Sequence, residues 1–360
     1  MRRFRMRSRA SALALGLVTA VGAASAVAVA SAEDEESAAP DNAEYVESTD
    51  LITKEFPDGS INKPLTRLDG LKVGDHEPRL IAAKFTASMR FDEPTDDDDR
   101  LDMLMSTWVT CDLDEPTATQ GYPTRSPMTS RNHEGEDKRN VTAMWMFTPP
   151  TEWADDATYS CVQWAVGNYT IGPDRTLLPA EGSDNTYLRV MNAHDPGAKE
   201  WYLENDAVVQ QDRPSTDARE DVATIFDQNW TAASSASKVE FFHGVQATAG
   251  VEGIRGMDPL MLDVDVKITQ LDADGNACAP AVSPTTDPIP IYQGSTHHLK
   301  VNGWTEAPVS KADGCTKKFN VTVTAKYILT LDDPPNKAGT LHGALADPLR
   351  PYSNLIAVNR

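Results

Sequence analysis

Residues 103–111 read Met-Leu-Met-Ser-Thr-Trp-Val-Thr-Cys, and the alternation in this stretch decides the fold class. Side chains along a β-strand point to opposite faces in turn, so residues two apart share a face. One face carries the odd-numbered residues from Met103 to Cys111, and the other carries the even-numbered ones, including Trp108. The pattern predicts a strand with Cys111 in a core and Trp108 on the opposite side.

The same period of two recurs on both sides of this stretch and again in the second half of the chain. From Asp263 to Ile268, apolar residues alternate with charged ones, as expected of a strand with one solvated face. Helical periodicity is nearly absent, and only Asp217–Asn229 has the spacing of a short helix. Short strands with frequent turn signals predict an all-β protein made of antiparallel β-sandwiches.

The predicted strands and the cysteines follow the same order twice along the chain. A first unit spans residues 76–193 and closes on Tyr187–Asn192, while a second spans residues 238–360 and closes on Asn354–Asn359. The connector between them, residues 194–237, contains the short helical segment. We therefore predict two sandwich domains in tandem, related as an internal repeat.

The N-terminus has the layout of a secretory signal peptide. Five arginines up to Arg9 precede an apolar stretch that ends in Ala30-Ser31-Ala32, a small-residue cleavage site. Residues 1–32 are predicted to be removed; the alternative is an uncleaved membrane anchor. The Arg- and Ala-rich style resembles secreted proteins of high-GC Gram-positive bacteria. Residues 33–75 are acidic and poor in apolar periodicity, which predicts a largely disordered N-terminal segment.

Four cysteines in an exported chain are most simply two disulfides. The sequence permits three pairings, and the repeat selects the one in which each unit contains its own bridge. The predicted pairs are Cys111–Cys161 and Cys278–Cys315.

A short motif before the second cysteine refines the fold. Asp155-Asp156-Ala157-Thr158-Tyr159-Ser160-Cys161 is similar to the D-x-A-x-Y-x-C pattern of immunoglobulin-like domains. The resemblance covers the first unit only, because Cys315 lacks the motif and no tryptophan follows Cys111 at the usual core distance. It implies an immunoglobulin-like sandwich with Tyr159 and Cys161 in the core and Asp155 beside the corner. It implies no activity.

Charge disfavours two classes of partner. The chain carries a net charge of −21, and five of its 33 basic residues but none of its 54 acidic ones lie in residues 1–32. The mature chain would therefore hold 28 basic residues and a net charge of −26. Such a surface repels nucleic acid and anionic lipid, so neither nucleic acid nor a membrane is an expected partner after signal removal.

Tryptophan placement indicates a binding face. If Cys111 and Cys161 point inward, Trp108 and Trp164 point outward. The strand Val141–Thr148 carries Trp145 on one face and Met144 and Met146 on the other, so both of its faces are apolar. Apolar outer faces need a cover, which can be a partner or a loop of the same domain. The loop Asp112–Lys138 is the alternative cover, and it is also a candidate recognition loop.

Motifs for catalysis or for a resident cofactor are missing from the sequence. There is no G-x-S-x-G, P-loop or dinucleotide-binding context, and the adjacent His297 and His298 would point to opposite faces of a strand. Residues Asp272–Asn276 have the spacing of calcium ligands but fit a hairpin turn better, because Ala277 replaces the required glycine. We therefore predict that the chain is not an enzyme and that it binds no cofactor.

The sequence thus predicts a secreted, non-catalytic protein that binds or bridges an extracellular protein or glycan. Two alternatives remain open. One is an inhibitor of extracellular hydrolases that acts through the loop Asp112–Lys138, and the other is a carbohydrate-active or hydrolytic enzyme with a dispersed site.

Overall fold

A computed structural model describes most of the chain beyond the N-terminal region. The described residues are 45–57, 62–91, 103–115, 124–126, 129–133, 138–169, 175–192, 197–203, 207–210, 220–250, 260–284, 288–291, 298–328, 338–343 and 352–360. The predicted signal peptide, residues 1–32, lies outside them. In these ranges there is no helix with the length and apolar character that a bilayer crossing requires.

The first half of the described chain contains eleven strands, and every pairing among them is antiparallel. These strands are β1 (Tyr45–Ser48), β2 (Phe56–Pro57), β3 (Lys63–Lys72), β4 (Arg79–Phe91), β5 (Met103–Leu113), β6 (Thr124–Arg125), β7 (Thr129–His133), β8 (Lys138–Phe147), β9 (Thr158–Tyr169), β10 (Arg175–Pro179) and β11 (Tyr187–Asn192).

The second half is built in the same way, again with antiparallel pairing throughout the described part. Its strands are β12 (Lys199–Tyr202), β13 (Ala207–Gln210), β14 (Glu220–Thr231), β15 (Lys238–Gly250), β16 (Leu260–Asp272), β17 (Ile289–Ile291), β18 (His298–Pro308), β19 (Cys315–Ile328), β20 (Ala338–His342) and β21 (Asn354–Asn359). The prediction of an all-β chain of antiparallel sheets is confirmed.

The described strands form four antiparallel sheets, two from each half of the chain, with the same strand order in both halves. The two sheets of one half, with the core between them, are called a sandwich below. The first outer sheet is β3-β9-β5-β6 with β7 beside β5, and the second outer sheet is β14-β19-β16-β17. The first inner sheet is β1-β11-β4-β10-β2 with β8 beside β4, and the second inner sheet is β12-β21-β15-β20-β13 with β18 beside β15. Strand for strand, β4 corresponds to β15, β5 to β16 and β9 to β19.

The cores follow from the alternation of apolar residues. Val109 and Cys111 of β5 point into the first sandwich, where Tyr159 and Phe147 pack beside them. A second core, which includes Phe241 and the apolar face of β16, fills the other sandwich. The outward sides of the two inner sheets pack against each other through a third apolar cluster. Its buried members are Leu80, Ala82, Met144, Tyr187, Met191, Phe242, Ile356 and Val358.

Both disulfides have the predicted partners. The Cα atoms of Cys111 and Cys161 lie 4.1 Å apart on directly opposed positions of β5 and β9. Cys278 lies in the segment that folds back after β16, and its bridge to Cys315 at the start of β19 has Cα atoms 5.3 Å apart. In an immunoglobulin domain the corresponding bridge joins two sheets. Here the Cys111–Cys161 bridge joins neighbouring strands within one outer sheet, and the Cys278–Cys315 bridge lies at the matching end of the other outer sheet.

Residues 45–72 contain strands where the sequence predicts disorder. β3 forms the edge of the first outer sheet and buries Leu65 and Leu68. Register shifts between Pro64 and Thr66 and between Leu68 and Leu71 break the period of two. A bulge places consecutive residues out of phase, so the segment carries no regular alternation. Residues 33–44 lie outside the described part.

The short helix predicted within Asp217–Asn229 is wrong, because Glu220–Thr231 is strand β14. A register shift between Thr224 and Phe226 turns both Ile225 and Phe226 into the core, and Trp230 follows four residues later. This bulge produces the spacing of an amphipathic helix in a chain that is extended. Pairing with β19 along the whole strand overrides the local pattern.

Candidate binding face of the first outer sheet

The outward side of the first outer sheet carries a row of large apolar residues across three strands. Pro64 of β3 lies opposite Trp164 of β9, and Trp164 lies opposite Trp108 of β5. The inward neighbours Cys161 and Ala165 are fully buried, which fixes Trp164 on the opposite side of the strand. This row, with Val162 and Val166, is called the tryptophan face below.

Solvent reaches the tryptophan face unevenly. Trp108 is only 5% exposed, whereas Trp164, Val162 and Val166 are half-buried. The indole N–H of Trp164 donates a 2.8 Å hydrogen bond to the hydroxyl of Thr110 on β5. This bond orients the ring and satisfies its polar atom, so the remaining surface of Trp164 is apolar and available for contact.

A polar cluster borders this face at its disulfide end. The Ser160 hydroxyl is within hydrogen-bonding distance of Asp69, at 2.8 Å, and of Asp114, and the Arg67 guanidinium donates to the Ser160 oxygen at 3.3 Å. The Ser160 hydrogen bond and then the Arg67 side chain hold the pKa of Asp69 below its usual value. The border therefore combines fixed carboxylates with one cation beside an apolar surface, as at the rim of many interfaces.

The second outer sheet provides an internal comparison. Its outward side carries Lys267 of β16, Asn320 and Thr322 of β19 and Asp227 of β14. The Asn320 amide donates a 2.8 Å hydrogen bond to Asp227, so this side is mostly polar, although Val222 of β14 is exposed on it. Since both outer sheets have the same strand order, the fold itself does not require an apolar outward side. The apolar side chains of the tryptophan face are specific to the first sandwich.

Trp145 does not share this face. It lies on β8, 4% exposed, with its ring centroid 5.1 Å from that of Phe147 in the core of the first sandwich. The other side of β8 presents Met144 and Met146 to the second inner sheet. β8 is apolar on both faces because it lies between a core and an inter-sandwich contact. Of the three predicted binding residues, Trp108 and Trp164 are on one face and Trp145 is a core residue.

The predicted structural corner is a packed aromatic group. Tyr159 is buried against Phe147 and Trp153, with ring centroids 5.3 and 5.7 Å away, and burial raises the pKa of its hydroxyl. Asp155 lies 3.1 Å from the imidazole of His76, so it ties the loop before β4 to the turn before β9. Tyr159 therefore packs in the core, and Asp155 connects two loops.

The Asp272 carboxylate, considered above as a calcium ligand, forms hydrogen bonds within a turn. Asp272 Oδ1 accepts backbone N–H groups of Asp274 and Asn276 at 3.0 and 2.7 Å, which closes a turn with Gly275 at φ 89°. Backbone hydrogen bonds, that from Asn276 above all, lower the pKa of Asp272. The carboxylate is used by the turn. Across the described ranges, no group of three or more His, Cys, Asp or Glu residues is arranged to hold a metal ion.

Sequence reasoning missed the polar border and one buried polar cluster. Arg67 and Asp69 belong to β3, whose bulges hid the strand. The buried cluster consists of Glu200, Lys300 and Asn354, which come from three different strands of the second inner sheet.

No family model and no curated protein matches this chain. Among solved structures, similarity is found to the VP2 protein of infectious bursal disease virus, at 12% identity, covering 89% of this chain and 76% of that chain with a TM-score of 0.28. The major capsid protein of mavirus matches at 9% identity, with 96% and 93% coverage and a TM-score of 0.25. A CBM22 tandem domain of Paenibacillus barcinonensis Xyn10C matches at 7% identity, with 85% and 94% coverage and a TM-score of 0.23. Scores of this size assign neither a fold family nor a function.

Proposed function

We propose that this chain is a secreted, non-catalytic binding or bridging protein, and that the tryptophan face contacts its extracellular protein or glycan partner. One observation carries the proposal. On β9 of the first outer sheet the outward side presents half-buried Trp164, Val162 and Val166, whereas the corresponding strand β19 presents Asn320, Thr322 and Lys326. An apolar side that the fold does not require is typical of an interaction surface.

We also propose that the two halves of the chain are tandem sandwich domains. The shared strand order and the disulfides at matching ends support two sandwiches in tandem that derive from one repeated unit. Two disulfides, with no free cysteine in the described residues, support a chain that works in an oxidising, extracellular compartment. Two sandwiches in one chain would allow bridging, with a recognition face on one and a solvated outer face on the other.

The experiment is a capture and titration with the mature chain. Culture fluid and cell-wall glycans are passed separately over the immobilised protein, and the material retained is titrated against it by tryptophan fluorescence. Trp164→Ala is expected to weaken binding at least about tenfold, the range of a buried aromatic anchor. Thr322→Ala, on the corresponding strand of the second outer sheet, is the matched control. Equal binding by Trp164→Ala and the wild type would contradict the proposal.

A further inference from the structure

The contact between the two inner sheets contains a polar cluster beside its apolar residues. Asn354 of β21 donates a 2.7 Å hydrogen bond to the carboxyl oxygen Oε1 of Glu200 on β12, and a 3.0 Å bond to the carbonyl of Met144 on β8. The other oxygen of Glu200 accepts the backbone N–H of Met146 at 3.2 Å. The first inner sheet therefore covers Asn354 fully and Glu200 in part.

Lys300 reaches the same place from the opposite side of the central strand β15. At Gly244 of β15 the neighbouring strands are β18 on one side and β21 on the other. A Cβ atom added to Gly244 would lie 2.7 Å from Asn354 Oδ1 and 3.0 Å from Lys300 Nζ. The amine and the carboxamide thus converge over a backbone position where only glycine leaves room for both.

The surroundings set the protonation of both ionisable groups. Burial lowers the pKa of Lys300 to about 7, against the attraction of the Glu200 carboxylate, so much of the amine is neutral at neutral pH. Burial also raises the pKa of Glu200 to about 7, although hydrogen bonds from Tyr202, Asn354 and Met146 oppose the shift. A desolvated neutral lysine is a nucleophile, and a carboxyl group with this pKa can both give and accept a proton at neutral pH.

A backbone carbonyl orients the amine. Lys300 Nζ donates to the carbonyl oxygen of Tyr352, two residues before Asn354 on the way into β21. This contact holds the nitrogen beside the start of the strand that carries the carboxamide. The arrangement brings together a nucleophile, an electrophilic carbon and a proton-transfer group at one place in the fold.

We propose that Lys300 and Asn354 form a covalent amide cross-link between β18 and β21, with Glu200 as the proton-transfer group. The lone pair of Lys300 Nζ attacks Cγ of Asn354, and the new C–N bond forms as the carbonyl electrons move to Oδ1. Glu200 gives its proton to Nδ2 and takes up the proton that Nζ releases. The Cγ–Nδ2 bond breaks, one ammonia leaves and Glu200 is regenerated, so the step needs no oxidant or other reactant.

The cross-link would tie the second inner sheet together across its central strand. It joins residues 54 apart in sequence (300 and 354), and unlike the two disulfides it resists reducing agents. The proposal goes beyond the binding function and does not depend on the tryptophan face.

The test is mass spectrometry of the purified, reduced and denatured full chain, followed by peptide mapping. The expected wild-type mass is below the sequence mass by one ammonia molecule, and the digest contains a branched peptide that joins the segments of Lys300 and Asn354. Lys300→Arg, Asn354→Ala and Glu200→Gln are expected to show the full sequence mass.

Lys84→Arg is the matched control, because Lys84 is as buried as Lys300 and also donates to a backbone carbonyl, that of Asp184 at 2.9 Å. This variant should keep the cross-link. A wild-type chain at full sequence mass would overturn the proposal even if every variant failed to fold. A lost ammonia that maps to a single peptide, or to a pair without Lys300 and Asn354, would overturn it equally.

Discussion

The two disulfides should differ in how much they stabilise the protein, although both close similar loops on corresponding strands. Their sequence separations are 50 and 37 residues. Loop-closure entropy predicts about 4 kcal/mol from each at 25 °C. Their surroundings differ, since Cys111 and Cys161 are fully buried in a core whereas Cys278 and Cys315 are half-buried at the sheet end.

Replacing both cysteines of one pair by alanine removes the loop constraint and two sulfur atoms. In the buried pair the lost atoms leave a cavity, and one methyl-sized group lost from a core costs about 1 kcal/mol. The Cys111→Ala/Cys161→Ala variant should therefore lose about 6 kcal/mol in free energy of unfolding, against about 4 kcal/mol for the Cys278→Ala/Cys315→Ala variant.

The assay is guanidinium unfolding of the two double variants and the wild type, followed by circular dichroism and tryptophan fluorescence. Coincidence of the two probes is needed before free energies are compared, because a two-sandwich chain can unfold in steps. A loss for the Cys278/Cys315 variant that equals or exceeds that of the Cys111/Cys161 variant would refute the reasoning from burial.

Three further predictions concern single residues. Burial lowers the pKa of His243 to about 4 from 6.5 in the unfolded chain, so the neutral ring contributes stability above pH 6.5 that is lost as pH falls through 4. That loss amounts to about 3 kcal/mol, and His243→Gln should flatten the dependence of unfolding free energy on pH between 7 and 4; an unchanged slope would contradict it. Gly167→Ala should lower the free energy of unfolding in urea by about 1–3 kcal/mol, because its Cβ would lie 2.5 Å from Cδ1 of buried Leu177. An unchanged free energy of unfolding would contradict this, because it would mean that Leu177 moves aside without cost. Trp145→Ala should cost about 3–5 kcal/mol as a core residue, with Trp164→Ala below about 1 kcal/mol; the reverse order would contradict the assigned positions.

Strand periodicity predicted the elements that pair regularly and failed at the bulges. β5 alternates along its length and β16 does so from Leu262 to Ile268, and the residues predicted to face inward lie in the cores. β3 and β14 contain register shifts. For this reason the sequence of β3 shows no periodicity, and that of β14 has the spacing of a helix. A single residue inserted into a ladder moves every later side chain to the other face. Sequence patterns therefore fail where a strand bends.

The candidate face was predictable in part. Parity placed Trp108 and Trp164 opposite Cys111 and Cys161 correctly, since β5 and β9 pair in continuous register. The same reasoning recognised both sides of Trp145's strand as apolar but could not tell which side was core. The cluster of Glu200, Lys300 and Asn354 left no local signal, because its members meet only through pairing with β15.

Amide hydrogen exchange of the mature chain, with and without the captured partner, tests the central claim most directly. The partner is expected to slow exchange in β5 and β9, around Val162–Val166, and to leave β16 and β19 of the second outer sheet unchanged. Protection confined to the second outer sheet, or unaltered exchange in β5 and β9 at saturating partner, would contradict the assignment of the tryptophan face as the recognition surface.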